Sequence, residues 1–363
     1  VRALAYRLET RSPSDVSGLV ELFATGALRP AEVVAILGKT EGNGGRNDFT
    51  RELAVTSFAR AIAERSGESE AAVHERVVLS MSGGTEGVAT PHVVVLGRRD
   101  DASPAGEKRL AVGVGHTRAF APEEIGRLPQ IEETARVLRE ITRSLGVTSL
   151  ADVHLVQMKG ALPAASFEAR EAAKNAGKPL RNEMVFSRAA SALGVALGTG
   201  EVARGDLDDD AVCARWDLFS SVASVSAKPG LPRSELLVLA NSPTWRGELV
   251  IEHGVMRDLL DTQAIRAVLA RLGLAAPGVL TPDQRERVVG VFAKAEADPR
   301  GFVRGKRHVM LEDDDVSDTR WARCTLHAVL ASTLGESAVY VSTRAEHHGP
   351  LGGGPVAILA KVL

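Results

Sequence analysis

Cysteine is nearly absent: Cys213 and Cys324 are the only two among 363 residues. Two thiols so far apart make neither a zinc-binding spacing nor a disulfide framework, and a reducing compartment follows as the simple reading. Aromatic residues are scarce too, at 4% of the chain against 44% apolar residues overall, so the core has to be built from Ala, Val and Leu. Neither charge is in excess. The 44 Lys and Arg nearly balance 46 Asp and Glu, which removes a global pull towards nucleic acid or an anionic membrane. No stretch, residues 1–7 included, reaches the roughly 18 consecutive apolar residues of a membrane helix. The expected protein is cytoplasmic, has no nucleic-acid or membrane partner, and is long enough for two or three cores.

What the chain does contain is one pattern written three times. Residues 77–82, 222–226 and 338–342 each read as an apolar strand ending on a serine: Ser82, Ser226 and Ser342. Earlier in each third, another apolar run ends on a lysine: Lys39, Lys159 and Lys294. Between lysine and serine a Ser/Thr-Arg dipeptide opens a helical stretch, at Thr50-Arg51, Ser187-Arg188 and Thr319-Arg320. Lysine and arginine stand 12, 29 and 26 residues apart, so loops diverge while the order of elements holds. That is how diverged repeats look. The units are residues 1–103, 108–247 and 248–363, the first two separated by a charged linker within 98–107 (RRDDASPAGE). The expected fold is α/β (of the α+β kind): three repeats around a pseudo-three-fold axis, central strands forming a barrel-like core, helices outside.

The three residue types make sense together. A serine hydroxyl is a poor nucleophile until a base takes its proton, and a lysine can be that base if burial or a nearby cation keeps it neutral. Arginine stays charged and offers a planar donor fork to carbonyl oxygens. Backbone N–H groups around Ser82-Gly83-Gly84 would form an oxyanion pocket, glycine permitting close approach. Such sets suit acyl transfer at a planar, oxygen-rich ligand with three like edges, of which only one set has to react. Taken singly, strand-end lysines and first-turn arginines are mostly solvated, but solvated residues have no reason to keep one order three times. Other features carry less. Gly38-Lys39-Thr40 imitates a phosphate-binding loop, yet Val33 stands where its first glycine belongs. Gly198-Thr199-Gly200 follows a helix rather than a strand. His347 and His348 are adjacent and cannot share a metal as an i, i+4 pair would. Residues 208–210 and 313–315, all aspartate, read as solvated loops, and the two cysteines as packing residues.

The chain resembles the cyanuric acid hydrolase/barbiturase family of cyclic amidases. The resemblance runs through residues 38–44 (GKTEGNG), 82–87 (SGGTEG), 306–311 (KRHVML) and 344–357 (RAEHHGPLGGGPVA), and so covers essentially the whole chain. It implies that Ser226 is the nucleophile and Lys159 its base, with Lys39 and Lys294 secondary. It implies further that Arg51, Arg188 and Arg320, with Ser82-Gly83, Ser226-Ala227 and Ser342-Thr343, hold the ring carbonyls. The implied reaction opens cyanuric acid to carboxybiuret, which loses carbon dioxide to biuret, in a homotetramer with no catalytic cofactor. A structural Mg2+ or Ca2+ is implied at Glu296 and at backbone oxygens of Ala345, His348, Gly349, Pro350 and Gly353, a hard-cation ligand set. Two positions depart from the family pattern: Thr343 stands where glycine is usual, and His348 where glutamine is. Barbituric acid, which breaks the three-fold symmetry of the ring, is the runner-up substrate. A binding module without turnover is the alternative of a different class.

Overall fold

The computed structural model describes residues 1–45, 47–103, 106–311 and 316–362. Its first sheet contains β1 (Arg2–Glu9), β2 (Val33–Thr40), β3 (Val78–Gly83) and β4 (His92–Arg99), connected through α1 (Ser17–Ala24), α2 (Thr50–Ser66) and α3 (Glu70–Arg76). The second contains β5 (Arg109–His116), β6 (Val153–Leu162), β7 (Ala223–Pro229) and β8 (Glu235–Ser242), with α4 (Leu128–Ser144), α5 (Phe167–Asn175) and α6 (Met184–Thr199). The third contains β9 (Leu249–Met256), β10 (Val288–Lys294), β13 (Tyr340–Ser342) and β14 (Gly354–Lys361). Between them lie α7 (Thr262–Arg271), α8 (Pro282–Arg287), a hairpin of β11 (Phe302–Val303) and β12 (Lys306–Arg307), and α9 (Asp318–Leu334).

All three sheets have one strand order: β1-β4-β2-β3, β5-β8-β6-β7 and β9-β14-β10-β13. In each, the lysine strand and the serine strand are parallel, and the last strand runs antiparallel to both of its neighbours. A parallel pair needs a crossover, which α2, α6 and α9 supply. Each lysine strand also slips register once, between Val33 and Ala35, Val153 and Leu155, and Val288 and Gly290.

Burial explains why these runs are continuous rather than alternating. β2 and β10 are buried at every position, as strands covered on both faces must be. On their inner faces the three sheets share one core, including Leu37 and Leu96, Val156 and Leu237, and Ile251, Phe292 and Leu359. Separate cores lie against the helices. The spacing of Ile131, Ala135, Leu138 and Ile141 places all four on the buried face of α4. Against it, α6 is rich in Ala and Gly, and a Cβ at Gly194 would come within 2.6 Å of Thr134. Small residues thus let the two helices approach closely.

The barrel-like core is corrected. Among the described residues no ladder joins a strand of one sheet to a strand of another, so three open sheets meet through side chains and no barrel closes. Lysines occupy part of the free strand edges: Lys39 Nζ donates to Val341 O of the third sheet at 2.7 Å, and Lys159 Nζ to Met81 O of the first at 3.2 Å. An edge satisfied by side chains has no need of another strand. The run at 313–315 lies outside the described residues. No described helix is long and apolar enough to cross a membrane.

Candidate active site

The parallel ladder puts each lysine directly beside a serine. Lys39 pairs in register with Ser82, Lys159 with Ser226 and Lys294 with Ser342. Their Nζ–Oγ distances are 3.2, 2.9 and 3.2 Å. Just beneath, two residues back along the strands, Gln157 donates to Ser80 Oγ and to the Tyr340 hydroxyl, closing the floor. Desolvation lowers all three amines. Lys159 falls to about 8 and Lys294 to about 7, with Lys39 well below the usual range, burial being the first cause in each and an arginine the second. Depressed basicity alone therefore does not single out one pair.

Those arginines come from a different sheet each time. Arg323 of α9 acts on Lys39, Arg51 of α2 on Lys159, and Arg188 of α6 on Lys294. Arg188 is buried and held side-on by Glu346, with Nε–Oε2 2.8 Å and Nη2–Oε1 2.6 Å. Arg323 is buried and held in the same manner by Glu86, at 2.8 and 2.5 Å. Arg51 is only half-buried. Its Nη2 donates to Gly45 O and its Nε stands 3.5 Å from Asp48. Arg320, expected here, has 47% of its side chain exposed and stands 3.5 Å from Glu86. Reading the sequence missed Arg323, one turn deeper on nearly the same helix face. The overlooked signal was depth along the helix, since Arg188 also lies in the second turn of its helix rather than at the start.

Glycines after Ser82 serve close approach, but not in the way expected. Gly84 N–H is taken by Thr40 O at 2.9 Å, so it is not available to an oxyanion. A Cβ at Gly83 would overlap the Asp48 carboxylate, and one at Gly84 would meet Arg323 Nε at 2.5 Å. Asp48 and Arg323 are what the glycines admit.

The loop after Ser342 is anchored across the molecule. His347 Nε2 accepts from Cys213 N at 2.9 Å and its Nδ1 donates to Leu218 O, while the ring stacks on Trp216. His348 Nε2 accepts from Val225 N and its Nδ1 donates to Glu346 O. With both nitrogens of each ring engaged, these imidazoles are pins rather than metal ligands, and only the His348 carbonyl can serve an ion. Glu296 Oε2 accepts from Ala345 N at 2.9 Å. Burial and the nearby Glu346 push its carboxyl up to about 7. A half-buried carboxyl raised by burial, beside the Ala345 loop, is a residue type that suits a hard cation. No group of three or more His, Cys, Asp or Glu is placed to hold a metal among the described residues, so carbonyls would carry most of the coordination. Thr343 is half-buried, and its carbonyl accepts from Lys294 at 2.8 Å. Cys213 and Cys324 are free thiols, and burial pushes Cys213 up to about 12.

A cavity of about 470 Å3 opens on Arg51, Lys159, Ala227 and Glu235, and neither Lys39 nor Lys294 lines it. A larger one, about 700 Å3, contains the hydrogen-bonded pair His154–His253, and none of Lys39, Lys159 and Lys294 lines it.

A family model described as an amidohydrolase ring-opening protein matches residues 5–361. A cyanuric acid amidohydrolase of Enterobacter cloacae is 45% identical over 368 residues, spanning 99% of this chain and 100% of its own. One from Bradyrhizobium diazoefficiens is 46% identical over 366 residues, with 98% and 97% covered. A solved cyanuric acid hydrolase superposes with a TM-score of 0.90 at 43% identity, 99% of both chains being covered. With the family model spanning nearly the whole chain and relatives similar from end to end, the protein belongs to the ring-opening amidohydrolases, hydrolases that act on cyclic amides.

Proposed function

We propose that this enzyme opens the s-triazine ring of cyanuric acid, with Ser226 as nucleophile and Lys159 as general base. The observation that carries the choice of set is the 2.9 Å Lys159–Ser226 contact beside the cavity that Lys159 alone of the three lysines lines. Lys159, neutral, takes the Ser226 proton as Oγ attacks a ring carbonyl carbon, and returns it to the departing ring nitrogen. Water then cleaves the acyl-serine to carboxybiuret, which loses carbon dioxide to give biuret. Arg51, Arg188 and Arg323, with the Ser82-Gly83, Ser226-Ala227 and Ser342-Thr343 segments, hold the carbonyls. Three like sets match a ring with three like edges. The activity is tested by following ring absorbance with cyanuric acid and, separately, barbituric acid. Loss with cyanuric acid is expected. Loss with barbituric acid alone transfers the assignment to that ring, and loss of neither removes it.

The three units, 1–103, 108–247 and 248–363, are on this reading diverged copies around a pseudo-three-fold axis. The common strand order, the common register slip and the Lys–Ser pairing support it.

A structural Mg2+ or Ca2+ belongs at Glu296, with carbonyls of Ala345, His348, Gly349, Pro350 and Gly353, where it would relieve a half-buried carboxylate. Adding Mg2+ or Ca2+ to metal-stripped protein is expected to raise Tm, by an amount set by how far the ion exceeds its Kd. Glu296→Gln is expected to abolish the rise. An identical rise in that variant would remove Glu296 from the site.

A further inference from the structure

The carboxylates that hold two of the arginines occupy one place in the pattern. Glu86 lies four residues after Ser82, and Glu346 four residues after Ser342. Each reaches across to an arginine on another sheet's helix and engages it through the same two atoms, Nε and Nη2. This side-on grip leaves the far side of the guanidinium, with Nη1, directed away from the acid. Both loops are themselves anchored. His327 Nδ1 bonds Glu86 O at 3.1 Å, and His347 and His348 pin the loop of Glu346. Four residues after Ser226, however, the chain has Gly230, which has no carboxylate. Among the described residues the one acid that approaches Arg51, the arginine of that set, is Asp48, at 3.5 Å from Nε, while Nη2 donates to Gly45 O. Asp48 is already engaged by Gly44 N, Thr50 N and the Thr50 hydroxyl.

The consequence is electrostatic. A guanidinium in a bidentate carboxylate pair is neutralised as well as oriented. Arg188 and Arg323 can therefore donate to a neutral ring carbonyl in a fixed direction but add little net positive potential. Arg51, weakly opposed, keeps its charge where negative charge develops when Ser226 attacks. Charge placed where the transition state gains it is what accelerates a reaction.

We propose that Glu86 and Glu346 are positioning residues that preset Arg323 and Arg188 as holders of ring carbonyls, and that Gly230, at the place of a third acid, leaves Arg51 without a bidentate acid beside the reacting serine. This rests on the reading that a cyclic amide is opened at Ser226. The test is steady-state kinetics with cyanuric acid on Glu86→Gln, Glu346→Gln and Arg51→Gln, with Glu86→Asp and Glu346→Asp as partners that keep the buried charge should the amides fail to fold. Each Glu variant is expected to raise KM about tenfold or more with kcat within about threefold, the mark of lost ground-state positioning. Arg51→Gln is expected to lower kcat about 100-fold with the smaller change in KM. A purely structural role for the acids would lower the active fraction, and so kcat, at unchanged KM. That outcome, or an Arg51→Gln effect confined to KM, overturns the proposal. Full turnover by Ser226→Ala would instead remove the underlying reading, while the KM shifts would still decide whether the acids position their arginines.

Discussion

Ser226→Ala is expected to lower kcat on the order of 10^4-fold or more, whereas Ser82→Ala and Ser342→Ala lower it far less and act chiefly on KM. Only the oxygen that forms the acyl bond is irreplaceable, since a hydroxyl that merely orients a carbonyl leaves the reaction route intact when it is lost. Three serines stand opposite three lysines in equivalent registers, so equivalence of position cannot decide among them. Accessibility does. Lys39 and Lys294 are each 1% exposed, and Lys39 is tied down by Ser82 Oγ, Gly83 O and Val341 O. Lys159 and Lys294 each have one carbonyl partner besides their serine, Met81 O and Thr343 O, but of the three lysines Lys159 alone borders the cavity. The check is kcat and KM for each alanine variant, with circular dichroism confirming the fold. Comparable kcat losses at all three serines would mean that the sets act together and that no single nucleophile exists.

How much of this could be read from the chain differs by level. Strands were legible because β2 and β10 are apolar up to Lys39 and Lys294 at or next to their ends, and β6, interrupted only by His154 and Gln157, is apolar otherwise up to Lys159. Lysine–serine pairing followed from order alone, because a parallel pair with a helical crossover brings strand ends together. What stayed hidden depends on contacts between distant segments. No linear pattern says that the arginine beside Lys39 comes from α9, 284 residues on from Lys39 in sequence. A dipeptide that opens a helix likewise cannot say which turn reaches the centre, so Arg320 was chosen where Arg323 is buried. α5 buries none of its residues and thus carries no apolar stripe to detect. The carboxylates at 86 and 346 were within the quoted motifs, but their partners lie 237 and 158 residues away.

Lys159→Met is the second large effect, and it separates activity from stability. Loss of the base is expected to lower kcat by about 10^2- to 10^4-fold. In the wild-type enzyme kcat/KM is expected to rise with pH and level off above about 8, because the neutral amine is the active form and burial, aided by Arg51, holds Lys159 to about 8. Lys39→Met and Lys294→Met should keep that rising limb, since neither touches the titrating base. The same depression acts on folding in the opposite sense. An amine with a folded pKa below its unfolded value leaves the unfolded chain binding more protons between about pH 8 and 10.5, so its contribution to stability falls as pH drops through that window and is fully lost below it. At about 1.4 kcal/mol per pH unit this is a penalty of up to roughly 3 kcal/mol at neutral pH. Lys159→Met removes the titrating group while filling similar space, so the inactive variant is expected to melt above the wild-type at pH 7, with the advantage shrinking towards pH 10. Thermal denaturation at the two pH values measures it. A variant that melts lower at pH 7, or whose advantage grows with pH, would mean that burial does not depress the basicity of Lys159, and a base of ordinary pKa could not sustain the rising limb near 8.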